Sequence, residues 1–195
     1  MYKNVLKRKF DLVLAFVALV FMLPVFVVIT ILIRLDSKGP ALFKQKRIGL
    51  NKNTFYLYKF RTMKADTPRN TPTHLLKNPD SHITKIGRFL RQTSLDELPQ
   101  LYNIIKGDMS IVGPRPALWN QYDLMAERDK YKANSVRPGL TGWAQVNGRD
   151  ELPIPVKASL DGIYVKNISL TMDIRCIIKT ITAVITRAGI AEGIH

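Results

Sequence analysis

The stretch Ser94-Leu-Asp96-Glu97-Leu-Pro-Gln100 places two carboxylates side by side, close to a serine and a proline. Two readings fit it. In one, Ser94 and Glu97 form a capping box, and the acids complement the dipole of a helix that begins there. Pro99 suits that reading poorly, because a proline so far into the helix lacks a bond the helix would otherwise make. In the other, the pair is chemical: Asp96 is a nucleophile or metal ligand and Glu97 its neighbour. An ionised carboxylate can attack phosphorus when Mg²⁺ and cationic side chains neutralise the electrophile. A helix N-terminus would keep that carboxylate ionised and orient phosphate.

Two further segments carry the cations and amides such chemistry needs. In Gly107-Asp-Met-Ser-Ile-Val-Gly113-Pro114-Arg115-Pro116, an arginine sits between two prolines. A stiff backbone suits a guanidinium that grips phosphate through two bonds, although a rigid turn with a solvent-facing arginine has the same sequence. In Arg137-Pro-Gly-Leu-Thr-Gly-Trp143-Ala-Gln145-Val-Asn147-Gly-Arg149, two arginines and two amides frame an aromatic and flexible glycines. That set suits a nucleotide diphosphate; a surface loop anchored by Trp143 is the plainer alternative.

These segments need elements to hold them. Residues 41–44 and 54–58 are short β-type runs with a turn at 49–53, which predicts a small hairpin. Residues 65–82, rich in Pro, Asn and Thr, read as a mobile loop. Residues 83–90 resume an amphipathic pattern, and 94–105 reads as a helix stopped by Gly107. A charged helix is expected over 119–132 and turns over 137–149. Over 173–187 apolar residues recur at helical spacing among Arg175, Lys179 and Arg187, as on a membrane surface or against a core. The pattern is mainly α with a small β-hairpin, an α+β fold.

The chain opens differently. No charge occurs from Leu12 to Ile33, and at about 1.5 Å per residue a straight helix of that length crosses roughly 30 Å of hydrocarbon. Pro24 lies near its middle, where it removes a backbone bond and crowds the turn before it. Lys3, Lys7, Arg8 and Lys9 precede the run; Arg34, Lys38, Lys44, Lys46 and Arg47 follow it. The positive-inside rule makes both ends cytoplasmic, so a helix that enters one leaflet and returns competes with an ordinary kinked span.

Composition narrows the function. Thirty Lys and Arg against fifteen Asp and Glu give a formal charge of +15 over 195 residues. Such an excess points to an anionic partner: nucleic acid, a phospholipid surface or a phosphorylated substrate. A nucleic-acid binder accounts for the charge but not for the apolar run, and no standard nucleic-acid motif occurs. One cysteine, Cys176, excludes an internal disulfide framework, and His74, His82 and His195 lack metal-ligand spacing. There is no P-loop, dinucleotide fingerprint or Asp-x-Asp motif. A non-catalytic, basic, membrane-anchored scaffold explains the charge and the apolar run. It leaves unexplained an acidic pair among cationic motifs.

Taken in order, Lys7-Arg-Lys-Phe-Asp11, Lys59-Phe-Arg-Thr-Met63, Ser94–Leu101, Gly107–Pro116 and Arg137–Arg149 resemble the bacterial sugar transferase family, the small monotopic phosphoglycosyl transferases. The resemblance covers nearly the whole chain and implies the following. A sugar 1-phosphate passes from a UDP-sugar to polyprenyl phosphate, with release of UMP and with Mg²⁺ as cofactor. Asp96 is the nucleophile that forms an aspartyl intermediate, and Glu97 is its acidic neighbour at the metal site. Arg115, with Lys59, Arg61, Arg137, Gln145, Asn147 and Arg149, serves the substrate phosphates and nucleotide. Lys7 and Arg8 lie at the headgroup layer near the carrier phosphate. Residues 1–38 form a basic N-terminus and a re-entrant membrane helix broken at Pro24; residues 39–195 form a cytosolic, interface-associated catalytic domain on the bacterial inner membrane. No nucleic acid is expected as a partner, and a homo-oligomer stays open. Similar proteins often carry serine before that proline. Here Leu23 cannot satisfy a freed backbone group within the bilayer, which leaves Thr30 or packing to stabilise the break.

Overall fold

The computed structural model describes residues 2–64, 67, 79–148 and 152–186. After a π-helical turn at Tyr2–Leu6, helix α1 spans Lys7–Asp36, with Pro24 inside it rather than at its end. Asp11, Ala15, Ile29 and Ile33, spaced by multiples of about one helical turn, are buried along one stripe. Ala15 packs with Leu101 and Ile104, and Ile29 and Ile33 pack with Phe60 and Leu90. Much of the remaining surface between its charged ends is apolar and bare: Val13, Phe16, Val20, Val27 and Ile31 are exposed, and Phe21 reaches 74%. Packing flanks the proline, since Val25 and Phe26 join the second cluster and the Phe26 ring lies 5.2 Å from that of Phe60.

Both ends of α1 are fastened to the same body. At the start, the Asp11 carboxylate accepts from Ser110 Oγ (2.7 Å) and the Ile111 amide (3.1 Å). At the finish, Asp36 accepts from the Ile86 amide at 3.0 Å.

The expected hairpin is present. Strand β1 (Leu42–Ile48) pairs antiparallel with β2 (Thr54–Phe60), in register from Leu42 opposite Phe60 to Ile48 opposite Thr54. Asn51 and Lys52 adopt positive φ in the turn. A single turn, α2 (Pro79–His82), follows; the remainder of the stretch expected as a loop lies outside the described residues, except 67. Helix α3 (Lys85–Gln92) is capped by Thr84, whose Oγ1 accepts from the Gly87 amide.

The single helix expected over 94–105 is two elements. A 3₁₀ turn at Leu95–Glu97 precedes α4 (Gln100–Lys106), with Pro99 just before its first residue. Gly107 ends α4 in the left-handed conformation at φ 101°. Strand β3 (Ser110–Val112) then pairs parallel with β4 (Gly139–Thr141), a pairing that the turn-rich reading of 137–149 does not anticipate. Glycines permit the approach: a Cβ on Gly139 would lie 2.1 Å from the Gly113 nitrogen. Helix α5 (Tyr122–Asp129) lies inside the charged helix expected there. Helix α6 (Ile154–Lys166) has no counterpart in the sequence reading. Helix α7 (Leu170–Ile185) begins at Ser169, which accepts from the Met172 amide.

Candidate active site

The capping box does not form. Ser94 is left-handed at φ 56° and makes no capping bond, and the helix it would cap starts only at Gln100. The carboxylates therefore sit on a tight 3₁₀ turn, not at a helix N-terminus, and the Glu97 side chain points elsewhere. Its Oε1 accepts from Lys59 Nζ at 2.6 Å and from Arg115 Nη1 at 3.3 Å. Lys59 Nζ also lies 3.7 Å from Asp96 Oδ2, and Asp96 is buried. Lys59, Asp96, Glu97 and Arg115 thus converge from the end of β2, the 3₁₀ turn and the loop after β3.

Burial alone would raise the Glu97 carboxyl. The Lys59 ammonium and the Arg115 guanidinium outweigh it and hold the group down at about 2. Glu97 is therefore ionised at neutral pH. The stability it contributes is complete above its ordinary value and fades only as pH falls towards about 2.

Two buried devices hold this cluster. Asn103, fully buried in α4, accepts from the Tyr58 amide (3.0 Å) and donates to the Tyr56 carbonyl (2.8 Å). It ties the strand that carries Lys59 to the helix that follows Asp96. On the other side, Arg128 of α5 donates through Nε to Asp161 of α6 at 2.8 Å, and through Nη1 to the Arg115 carbonyl at 2.9 Å. Sequence reasoning missed all three residues, because nothing local in α4, α5 or α6 announces a bond to a distant backbone group.

Arg115→Lys keeps the charge but gives up the planar fork. Loss of a charge-assisted contact of this kind lowers activity about tenfold or more while the melting temperature holds. Steady-state kinetics and thermal unfolding check this; a fully active lysine variant would make Arg115 a turn residue only.

The other expected site residues make their bonds to groups outside this cluster. Arg61, just past the end of β2, is buried and donates to the Lys38 carbonyl (2.8 Å), the Ser37 carbonyl (2.7 Å) and Ser37 Oγ (2.9 Å), closing the end of α1. Lys7 Nζ lies 2.6 Å from Asp173 Oδ2, which also accepts from the Tyr2 hydroxyl. Arg8 donates to the Ile104 and Ile105 carbonyls at 2.8 and 3.1 Å, and Arg137 Nε to the Gly107 carbonyl at 2.9 Å, so both close the end of α4. On the turn after β4, Gln145 donates to the Leu140 carbonyl, and Asn147 donates to the Trp143 carbonyl and accepts from Lys179 of α7. Arg149 lies outside the described residues.

The donor set suits Mg²⁺. Among the described residues no group of three or more His, Cys, Asp or Glu is placed to hold a metal. Mg²⁺ is commonly held by one or two carboxylates, with substrate oxygens and water completing its shell, and Asp96 and Glu97 are adjacent carboxylates of that kind.

Comparison with known proteins places this arrangement in a class. The model of the bacterial sugar transferase family matches residues 2–187, and the chain belongs to that family. It is an enzyme of the phosphoglycosyl transferase class. The chain is 42% identical to the sugar transferase EpsL of Bacillus subtilis, over 98% of this chain and 93% of that one. It is 38% identical to the exopolysaccharide production protein ExoY of Sinorhizobium fredii, over 94% and 87%. It is also 39% identical to the UDP-glucose:undecaprenyl-phosphate glucose-1-phosphate transferase of Xanthomonas campestris, over 94% of this chain but only 40% of the length of that relative.

Proposed function

We propose that the protein transfers a sugar 1-phosphate from a UDP-sugar to undecaprenyl phosphate, releasing UMP, and that Asp96 carries the sugar phosphate between the two half-reactions. The observation that carries this is the convergence of Lys59 and Arg115 on Glu97 beside the buried Asp96. Asp96 Oδ attacks the phosphorus that bears the sugar. A bond forms between them, the bond to the bridging oxygen of the diphosphate breaks, and UMP departs with that oxygen. An oxygen of the lipid phosphate then attacks the same phosphorus and frees Asp96.

In both steps Lys59 and Arg115 offset charge on the phosphoryl oxygens. Glu97, held ionised by the same two cations, fixes their direction. Asp96 and Glu97 would hold Mg²⁺, which when bound supplies charge neutralisation at the diphosphate. A panel of UDP-sugars with undecaprenyl phosphate, scored by UMP release, tests the reading; a basic scaffold without catalysis releases none.

The membrane arrangement belongs to the same proposal. Helix α1 is long and apolar enough to cross a membrane. Its two ends nevertheless bond to one body, which supports a re-entrant course bent at Pro24 with both flanks on the cytoplasmic face of the inner membrane. The catalytic domain there meets a soluble anionic donor and a lipid phosphate at the interface, where each Lys or Arg near an anionic surface adds about 1 kcal/mol of attraction. Cysteines placed at Lys3 and Lys38 in a Cys176→Ala background should both resist an impermeant thiol reagent applied from outside. Labelling of either one would make α1 an ordinary span.

A further inference from the structure

Strand β1 alternates: Lys44 and Lys46 are exposed, while Phe43, Gln45 and Arg47 turn inward and are half-buried. Phe43 stands opposite Lys59 and Arg47 opposite Phe55, so these side chains share the face of the hairpin that carries Lys59. Gln45 is the diagonal neighbour of Lys59, and such pairs lie about 7–8 Å apart, within reach of long side chains. Arg115 comes from the far end of the same strand, where it lines a small cavity with Ile48 and Gly49. Glu97 accepts from both cations. Gln45 therefore stands, along the strand, between the two residues whose charges converge at the site.

Its side chain is aimed. Arg47 Nε and Nη2 both donate to Gln45 Oε1, at 3.0 and 2.6 Å, and Arg47 Nη1 donates to the Pro116 carbonyl at 2.9 Å. Backbone pairing holds the same seam, with the Ile48 amide donating to the Ala117 carbonyl at 2.9 Å. A guanidinium has donors only, so the amide atom that meets it is the oxygen. The Gln45 NH₂ group consequently points away from Arg47, on the Phe55 side, and towards the side of Lys59. A carboxylate at this position would grip Arg47 more strongly. Glutamine instead adds N–H donors and no negative charge, which suits a neighbouring phosphate.

We infer that Gln45 is a further donor-binding residue, whose NH₂ group donates to an oxygen of the phosphoryl group that Asp96 attacks, and that Arg47 is its positioning residue. The inference rests on the transfer reading above for the identity of the substrate. The oxygens of an ionised diphosphate accept hydrogen bonds and do not donate them, so they match an amide NH₂ beside an ammonium and a guanidinium. Through Pro116 the same arginine ties the amide to the loop that carries Arg115.

UDP carries that phosphoryl group and UMP lacks it, so the two nucleotides isolate the contact. Calorimetric titration of the full chain, in phosphatidylcholine nanodiscs with Mg²⁺, measures both affinities. Gln45→Leu should weaken UDP about tenfold and leave UMP within about twofold. Gln45→Glu is the sharper variant. Its carboxylate keeps the bond to Arg47 and should hold or raise the melting temperature, yet it turns an acceptor towards the phosphate, so UDP should weaken by more than about tenfold. Arg47→Lys gives up the fork but keeps a donor for Pro116. It should weaken UDP about fivefold in the native chain and less than about twofold further in Gln45→Leu. Unchanged UDP affinity in either Gln45 variant, or equal losses for UDP and UMP, would overturn the role of Gln45. Additive losses would overturn that of Arg47. The transfer reading fails separately: it is lost if the unaltered chain releases UMP from no UDP-sugar, while the contrast between UDP and UMP still reports on Gln45.

Discussion

Asp96→Asn lowers transfer by about 10³-fold or more while the protein stays folded. The amide is nearly isosteric and keeps hydrogen-bonding capacity, but it is a far weaker nucleophile and cation ligand. Glu97 is a poor substitute as nucleophile, because its Oε1 already accepts from Lys59 at 2.6 Å and from Arg115 at 3.3 Å. Glu97→Gln should also be severe, because it removes the charge that orients both cations, yet Asp96 retains its carboxylate there and still forms its adduct. A purely structural role for Asp96 predicts otherwise. With no cap to lose on a 3₁₀ turn, the asparagine variant would then turn over normally and differ by about 1 kcal/mol of stability at most.

The second large effect is on folding. Asp161 and Arg128 are 1% and 3% exposed and form a buried ion pair, with Arg128 Nη2 2.6 Å from Asp161 Oδ2. Asp161→Ala leaves a guanidinium uncompensated in the interior and should cost about 3–5 kcal/mol in denaturant unfolding. Replacing both partners with apolar residues, as in Arg128→Met with Asp161→Leu, should recover most of that stability. Activity should nevertheless fall in the double variant, because Arg128→Met removes the donor that holds the Arg115 carbonyl at 2.9 Å. A cost below about 1 kcal/mol for Asp161→Ala would mark the pair as solvent-screened.

How far the sequence could be read depended on the range of the interaction. The hairpin was legible, because strand alternation and a turn at 49–53 are local. So were α3 and α7, whose apolar residues recur at helical spacing within each segment. The β3–β4 pair was not, since strands of three residues carry too little pattern, and their pairing joins residues far apart in the chain. At the site, Asp96, Glu97 and Arg115 stood out by residue type, and Lys59 through the family's motif. Arg61 shares that motif and lies two residues on, yet it falls beyond the end of β2 and turns to the end of α1. The basic flank at Lys7 and Arg8 was plain, but the groups they bond, Asp173 and the carbonyls of α4, are about a hundred or more residues away. No local rule finds such partners.

The central claim is that Asp96 is the carrier of the sugar phosphate. Mass spectrometry of the purified full-length protein, incubated with each UDP-sugar of the panel and no lipid acceptor, tests it most directly. The account predicts that the cognate donor releases UMP in near-stoichiometric amount and leaves a phosphosugar on Asp96, which undecaprenyl phosphate then removes. Turnover to the lipid product with no adduct at Asp96, or with an adduct on another residue, would contradict it.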